Sequence, residues 1–84
     1  MTDEQVNQTR NAVFALIEDI SGDDIIYDEP DMDLFEEGLF DSMAAIEFLV
    51  RCEDEIGVSI ATTEVEREEM NTPNKIVDRI LERI

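Results

Sequence analysis

The sequence predicts an all-α fold: a small four-helix bundle with a long loop between the first and second helices and a short third helix. Three observations lead there. Apolar residues recur at helical spacing in separate segments, capping residues and breakers bracket those segments, and only three glycines and two prolines occur in 84 residues. With 43% hydrophobic and 35% charged residues, the composition suits a packed helical chain rather than a disordered one. A chain of this size buries only about 60–65% of its unfolded surface, so one domain over residues 1–84 with an economical core is expected.

The first helix is placed at Asp3–Ile20, where Val6, Val13, Leu16, Ile17 and Ile20 fall on one stripe. Ser21-Gly22 ends it. The acid-rich stretch DDIIYDEPDMDLFEEGLF carries Pro30 and Gly38 as breakers and reads as a loop. In so small a domain a loop of that length must be held down by its own side chains, so Ile25, Ile26, Tyr27, Leu34, Phe35 and Leu39 are expected to lie over the bundle. The second helix runs from Ser42 to Ile56, with Asp41 as N-cap and Gly57 as the left-handed residue after its end. Next, VSIATTEVEREEMN reads as a connector and a short third helix, with Thr63 and Glu66 at capping-box spacing. The fourth helix follows the Thr72 cap and Pro73, its inward stripe being Ile76, Val77, Ile80, Leu81 and Ile84. It is expected to cover the groove left by the others.

Six basic residues against 23 acidic ones leave a net charge of −17. Such a field repels phosphate backbones and anionic lipid, which argues against nucleic acid and bare membrane as partners, and steers the chain toward basic patches on other proteins. Plain solubility is the simpler use of the same charge. The single cysteine, Cys52, has no partner for an internal disulfide and no metal-ligand spacing around it, so a buried apolar role is expected. MTDEQVNQTR lacks the basic start and apolar run of a signal peptide, and nowhere do about 18 apolar residues run together as a membrane span requires. A soluble, cytoplasmic monomer with no membrane insertion is expected.

Within "EEGLFDSMAAIEFLV", Ser42 opens an apolar helix directly behind an aspartate. A serine becomes a nucleophile only with a neighbouring base, and the chain has no histidine. Its one lysine, Lys75, stays protonated on so acidic a protein. Self-sufficient acyl transfer is therefore excluded, and no catalytic residue is assigned. With Asp41 as cap, Ser42 takes the first helical position, where free N–H groups and the helix dipole favour an esterified phosphate. Modification of Ser42 by another protein is one reading; a supplementary helix cap is the other.

At about 100 degrees per residue, Ala45, Phe48, Leu49, Cys52 and Ile56 cluster toward the core, while Met43, Glu47, Val50 and Asp54 point away. Two exposed apolar groups are ordinary by themselves. Beside an acid and the serine, Met43, Glu47 and Val50, with Asp41, form a plausible strip for partner recognition: carboxylates attract a basic surface, and the apolar pair is buried on docking.

"LFDSM", with an acidic loop before it and an amphipathic helix after it, resembles the phosphopantetheine attachment motif of acyl and peptidyl carrier proteins. Length, acidity, helix pattern and the long first loop extend the likeness over nearly the whole chain. The resemblance implies an acyl-carrier-protein-like bundle with 4'-phosphopantetheine joined to Ser42 through a phosphodiester, Asp41 before it and Met43 after. "LFEEGLFDSM" and "TEVEREEMNTPNKIV" are most similar to the D-alanyl carrier branch of Gram-positive bacteria. That branch typically shows Thr-Glu-Phe-Asp-Arg, a tryptophan and Asp-Thr-Pro. Thr63, Glu64, Arg67, Thr72 and Pro73 match, whereas Val65, Glu66, Met70 and Asn71 are substitutions. Ala44 and Ala45 stand where glycine and threonine are usual.

What the resemblance implies is transport rather than catalysis. A phosphopantetheinyl transferase installs the arm from coenzyme A, a D-alanine-activating ligase loads it with a thioester-linked D-alanine, and a membrane acyltransferase system uses the cargo to D-alanylate teichoic acids of the cell envelope. A carrier for fatty acid, polyketide or nonribosomal peptide synthesis is the alternative. An acidic interaction module without cofactor fits charge and size, but leaves Ser42 unexplained. A calcium loop fits worse: begun at Asp31, it has Phe35 fifth, Glu36 where glycine is needed and Ser42 where the closing glutamate belongs. No metal site is expected.

Overall fold

A computed structural model describes residues 2–84. Three α-helices form, α1 (Asp3–Ser21), α2 (Ser42–Glu55) and α3 (Pro73–Leu81), with single 3-10 turns at Ile25–Tyr27 and Arg67–Glu69. The all-α expectation holds; the count of four helices does not.

Each helix starts where a side chain can satisfy its first N–H groups. Thr2 and Gln5 make a reciprocal capping box at α1, the Asp41 carboxylate accepts from the Ala44 N–H at α2, and the Thr72 hydroxyl accepts from the Lys75 N–H at α3, where Pro73 occupies the first turn. Gly22 and Gly57, at φ of 75° and 83°, take the left-handed turns that follow α1 and α2, a conformation costly for any residue with a Cβ.

The core lies along α1, which packs against both α2 and α3. Val13, Phe14, Leu16 and Ile17 of α1 meet Phe48, Leu49 and Cys52 of α2 and Ile76, Val77 and Ile80 of α3. Val58, Ile60 and Met70, from the segment between α2 and α3, complete the same core. Phe14 sits at the edge of the α1 stripe, its ring centroid 5.7 Å from that of Tyr27 and 4.4 Å from the Arg10 guanidinium carbon. An exposed ion pair bridges α1 and α2: Arg51 contacts Asp19 at 2.6 Å and Glu55 at 2.7 Å, and both carboxylates raise its pKa. Ion pairs of this kind add little to stability.

The expected third helix is a single 3-10 turn, and the Thr63–Glu66 box does not form. Instead the Glu66 N–H donates to the Glu69 carboxylate at 3.2 Å and the Glu69 N–H to the Glu66 backbone carbonyl at 2.9 Å. Between residues 61 and 71 only Val65 and Met70 reach inward, five apart, which is no helical stripe. Glu64, Glu66, Glu68 and Glu69 repel along the same short stretch. The last helix also ends early, at Leu81, so Ile84 leaves the inward stripe and is exposed.

The loop of residues 22–41 is pinned by fewer side chains than expected. Ile26 and Leu34 are sealed, and Phe35 and Leu39 are partly buried, but Ile25 and Tyr27 are exposed. A 3-10 turn places consecutive residues about a third of a turn apart, so Ile26 points inward and its two neighbours do not. Phe40, unassigned from the sequence, is buried.

Hydrogen bonds then stitch the loop to the start of α3. The Leu34 N–H donates to the Asn71 carbonyl (2.7 Å), and the Asn74 N–H to the Pro30 carbonyl (3.1 Å). The Asn71 amide donates to Asp33 (2.9 Å) and the Asn74 amide to Asp31 (2.8 Å). Asn71 stands where the resembling branch has aspartate, and only the amide can donate to the Asp33 carboxylate. Asp33 also receives the N–H groups of Glu36 and Phe35, each at 3.0 Å. These bonds, that from Glu36 first, hold its carboxyl below the ordinary value of 3.8.

Two outcomes follow from this packing. Phe48→Ala empties a fully buried site and is expected to cost ~3–5 kcal/mol, a large share of the ~5–15 kcal/mol that stabilises a small domain, as read by urea denaturation followed by circular dichroism. Because the Asp33 pKa is lowered on folding, its contribution is present above 3.8 and fades as the pH falls through the folded-state value. Asp33→Asn is thus expected to be less stable than the parent at neutral pH, with the gap closing below about pH 4 in a pH series of denaturation curves.

Candidate functional site

The segment before α2 is built to place Ser42. The N–H groups of Leu39 and Phe40 both donate to the Leu34 carbonyl, at 2.9 and 3.0 Å, closing a turn in which Gly38 has φ of 75°. Phe40 then inserts between Phe35 and Phe48, with ring centroids 6.2 and 6.3 Å away. Asp41, the next residue, is extended, at φ −124° and ψ −175°. Its carboxylate accepts from the Ala44 N–H at 2.8 Å and its carbonyl from the Ala45 N–H at 3.0 Å.

Asp41 alone therefore makes the cap, and Ser42 stands exposed at the first helical position. The supplementary-cap reading has no hydrogen bond to rest on among the described residues. The N–H groups of Ser42 and Met43 also find no protein acceptor there, and the first turn of α2 carries no acidic side chain. Beside the capping Asp41 carboxylate, these unbonded N–H groups and the helix dipole are the features that suit a helix start to a phosphate group.

Ser42 also lines an open groove of about 250 Å³. Ala45, Ile46 and Leu49 of α2 make one wall. Thr62, Val65, Arg67 and Met70 make the other, and Phe35 of the loop completes it. The lining is mostly apolar, and among the described residues Arg67 is its only charged one. The volume far exceeds the ~15 Å³ that one ordered water takes up. A serine that can be esterified, unbonded N–H donors beside it, a cation and an apolar channel form a donor set that fits a phosphate followed by a flexible, partly apolar chain. A larger cleft of about 430 Å³ between α1 and α2 is lined by Asp19, Arg51 and Glu55 and does not include Ser42.

The residues expected to meet partners are on the outside. Asp41 and Glu47 are exposed, Met43 is 80% exposed and Val50 57%. They share the outer face of α2 with Ile46, at 51%, which sequence reasoning passed over. Its position was readable, three residues after Met43 and four before Val50, spacings that place all three on adjoining turns. Phe35 and Arg67 were not readable as a pair: the Arg67 guanidinium carbon lies 4.1 Å from the Phe35 centroid, across 32 positions of sequence.

Cys52 is sealed in the core, and burial pushes its thiol pKa up to about 11, so it is neutral and shielded at physiological pH. Among the described residues no group of three or more acidic or sulfur ligands is arranged to hold a metal ion, and no helix is long and apolar enough to cross a membrane.

Comparison with known proteins agrees with this geometry. The family profile described as "Phosphopantetheine attachment site" matches residues 11–80. The D-alanyl carrier protein of Lactococcus lactis subsp. cremoris is 45% identical over 74 residues, covering 88% of this chain and 94% of its own length. The D-alanyl carrier protein of Bacillus velezensis is 37% identical over 73 residues, 87% of this chain and 94% of its own. That of Enterococcus faecalis is 35% identical over 71 residues, with 84% and 91% covered. An acid-free helix start behind a capping aspartate, in a chain alike to these proteins over most of its length, places it: the chain belongs to the phosphopantetheine attachment-site family and, within it, to the D-alanyl carrier proteins.

Proposed function

We propose that residues 1–84 form a single carrier domain that holds D-alanine on a 4'-phosphopantetheine arm joined to Ser42, and delivers it for D-alanylation of teichoic acids. The observation that carries the attachment point is the placement of Ser42: exposed, first in α2, beside unbonded N–H groups, with its own hydroxyl free of the cap that Asp41 makes. When bound, the arm supplies a terminal thiol that holds an acyl group as a thioester. The chain's own residues orient and recognise. Asp41 fixes the start of α2, the Ser42 oxygen anchors the phosphodiester, and the unbonded N–H groups favour its charge.

Met43, Glu47 and Val50, with Asp41, form the surface on which three visitors in turn are received: a phosphopantetheinyl transferase, a D-alanine-activating ligase and a membrane acyltransferase system. The net charge of −17 steers a basic partner surface toward them, and the exposed apolar pair gives the docked complex its grip. Charge steering speeds encounter more than it prolongs the complex, which suits a carrier that must leave each enzyme. Supply of the arm from coenzyme A and activation of D-alanine support a cytoplasmic working form, with the carrier acting as a monomer. Tethering raises the effective concentration of cargo at each docked enzyme.

Incubation with coenzyme A and a permissive phosphopantetheinyl transferase is expected to add one phosphopantetheine to the parent protein and none to Ser42→Ala, read by intact-protein mass spectrometry. Addition to Ser42→Ala would move the attachment point elsewhere. The modified carrier, offered to a D-alanine-activating ligase and to a fatty-acyl loading enzyme, is expected to be charged by the first; loading by the second alone would make it a carrier of acyl synthesis. In the same ligase assay, Met43→Ser and Val50→Ser remove burial on docking worth about 1.5–3 kcal/mol each. Each is expected to raise KM about tenfold or more, by the relation of ~1.4 kcal/mol per decade, with kcat little changed.

A further inference from the structure

Five of the six basic side chains have protein partners. Arg51 pairs with Asp19 and Glu55, Arg79 with Glu69 and Glu82, and Arg83 with Glu64 and Glu82. Arg10 donates to the Asn74 side chain, and Lys75 to the Asn71 side chain and the Glu68 carbonyl. Arg67 is the exception: among the described residues its guanidinium makes no ion pair or hydrogen bond, and is held by stacking on the Phe35 ring. A chain with 23 acidic residues offers no shortage of carboxylates, so an unpaired arginine is not forced by composition. Asp33 feels its charge but is already engaged by the N–H groups of Phe35 and Glu36 and by the Asn71 amide.

Stacking uses the face of the guanidinium and leaves its in-plane N–H donors unblocked, in the fork that matches a phosphate oxygen pair. Arg67 and Ser42 line the same groove, and among the described residues no other cation does. A phosphodiester on Ser42 would add negative charge to a protein already at −17, and Arg67 is the complementary charge in that channel.

We propose that Arg67 is a positioning residue for the arm: it neutralises the phosphodiester on Ser42, so that the pantetheine chain lies along the groove beside Val65 and Met70. This rests on Ser42 being the attachment point. An exposed charge pair is weak and screened by salt, so the arm is held loosely between deliveries and is released to a docked enzyme.

The test uses the parent protein, Arg67→Gln, and Arg67→Met, which keeps an apolar stem over Phe35 without the charge. Each is converted with coenzyme A and a phosphopantetheinyl transferase, the added mass is confirmed, and amide NMR spectra of the unmodified and modified forms are compared. In the parent, modification is expected to shift the amides of Val65 and Met70, far from Ser42 in sequence. Those shifts are expected to be lost in both variants, restored in part by Arg67→Lys, and suppressed in the parent by added salt. Shifts confined to the immediate neighbours of Ser42 in the parent, or groove shifts that survive unchanged in Arg67→Gln and Arg67→Met, would overturn the proposal. Absence of added mass on every protein would overturn the attachment reading beneath it, a failure the mass spectrum separates from the first.

Discussion

One backbone hydrogen bond, from the Leu34 N–H to the Asn71 carbonyl, with the Leu34 side chain sealed beneath it, ties the long loop to the start of α3 and positions the whole functional end of the molecule. Left of that tie in the chain, the Leu34 carbonyl gathers the N–H groups of Leu39 and Phe40, which drives Phe40 under Phe48 and so sets Asp41 at the head of α2. Right of it, Asn71 anchors the segment that presents Met70 and Arg67. The two walls of the groove thus descend from one join between residues 37 apart in sequence. Closing such a loop costs chain entropy that grows only slowly with its length, and the sealed Ile26 and Leu34 side chains offset it by leaving water.

Features set by neighbours in sequence were legible. The start of α2 needs only an extended aspartate followed by helix formers, and its end only a glycine that tolerates positive φ, so both ends were placed within a residue. The same logic located Thr72 and Pro73 at the head of α3. It misled at Thr63 and Glu66, whose spacing matches a capping box while the surrounding residues supply no apolar stripe to hold a helix against the core. A cap ends a helix that packing has already stabilised; it does not create one.

What stayed hidden depends on contacts across the chain. Nothing near Phe35 announces an arginine over its ring, and nothing near Asp33 announces that Asn71 will hand it a proton donor. Ile46 escaped for a different reason: it lies on the boundary between the buried and exposed arcs of α2, lining the groove on one side and joining the outer apolar strip on the other. A binary inside-or-outside reading has no place for such a residue.

The sealing of Cys52 has a consequence for cargo security. An activated acyl group is prone to transfer onto any thiolate within reach, and a protein that ferries one risks capturing it on its own sulfur. By burying its single native thiol in the core and keeping it protonated, the chain offers no internal rival for the acyl group, nor a surface sulfur through which two copies could become crosslinked.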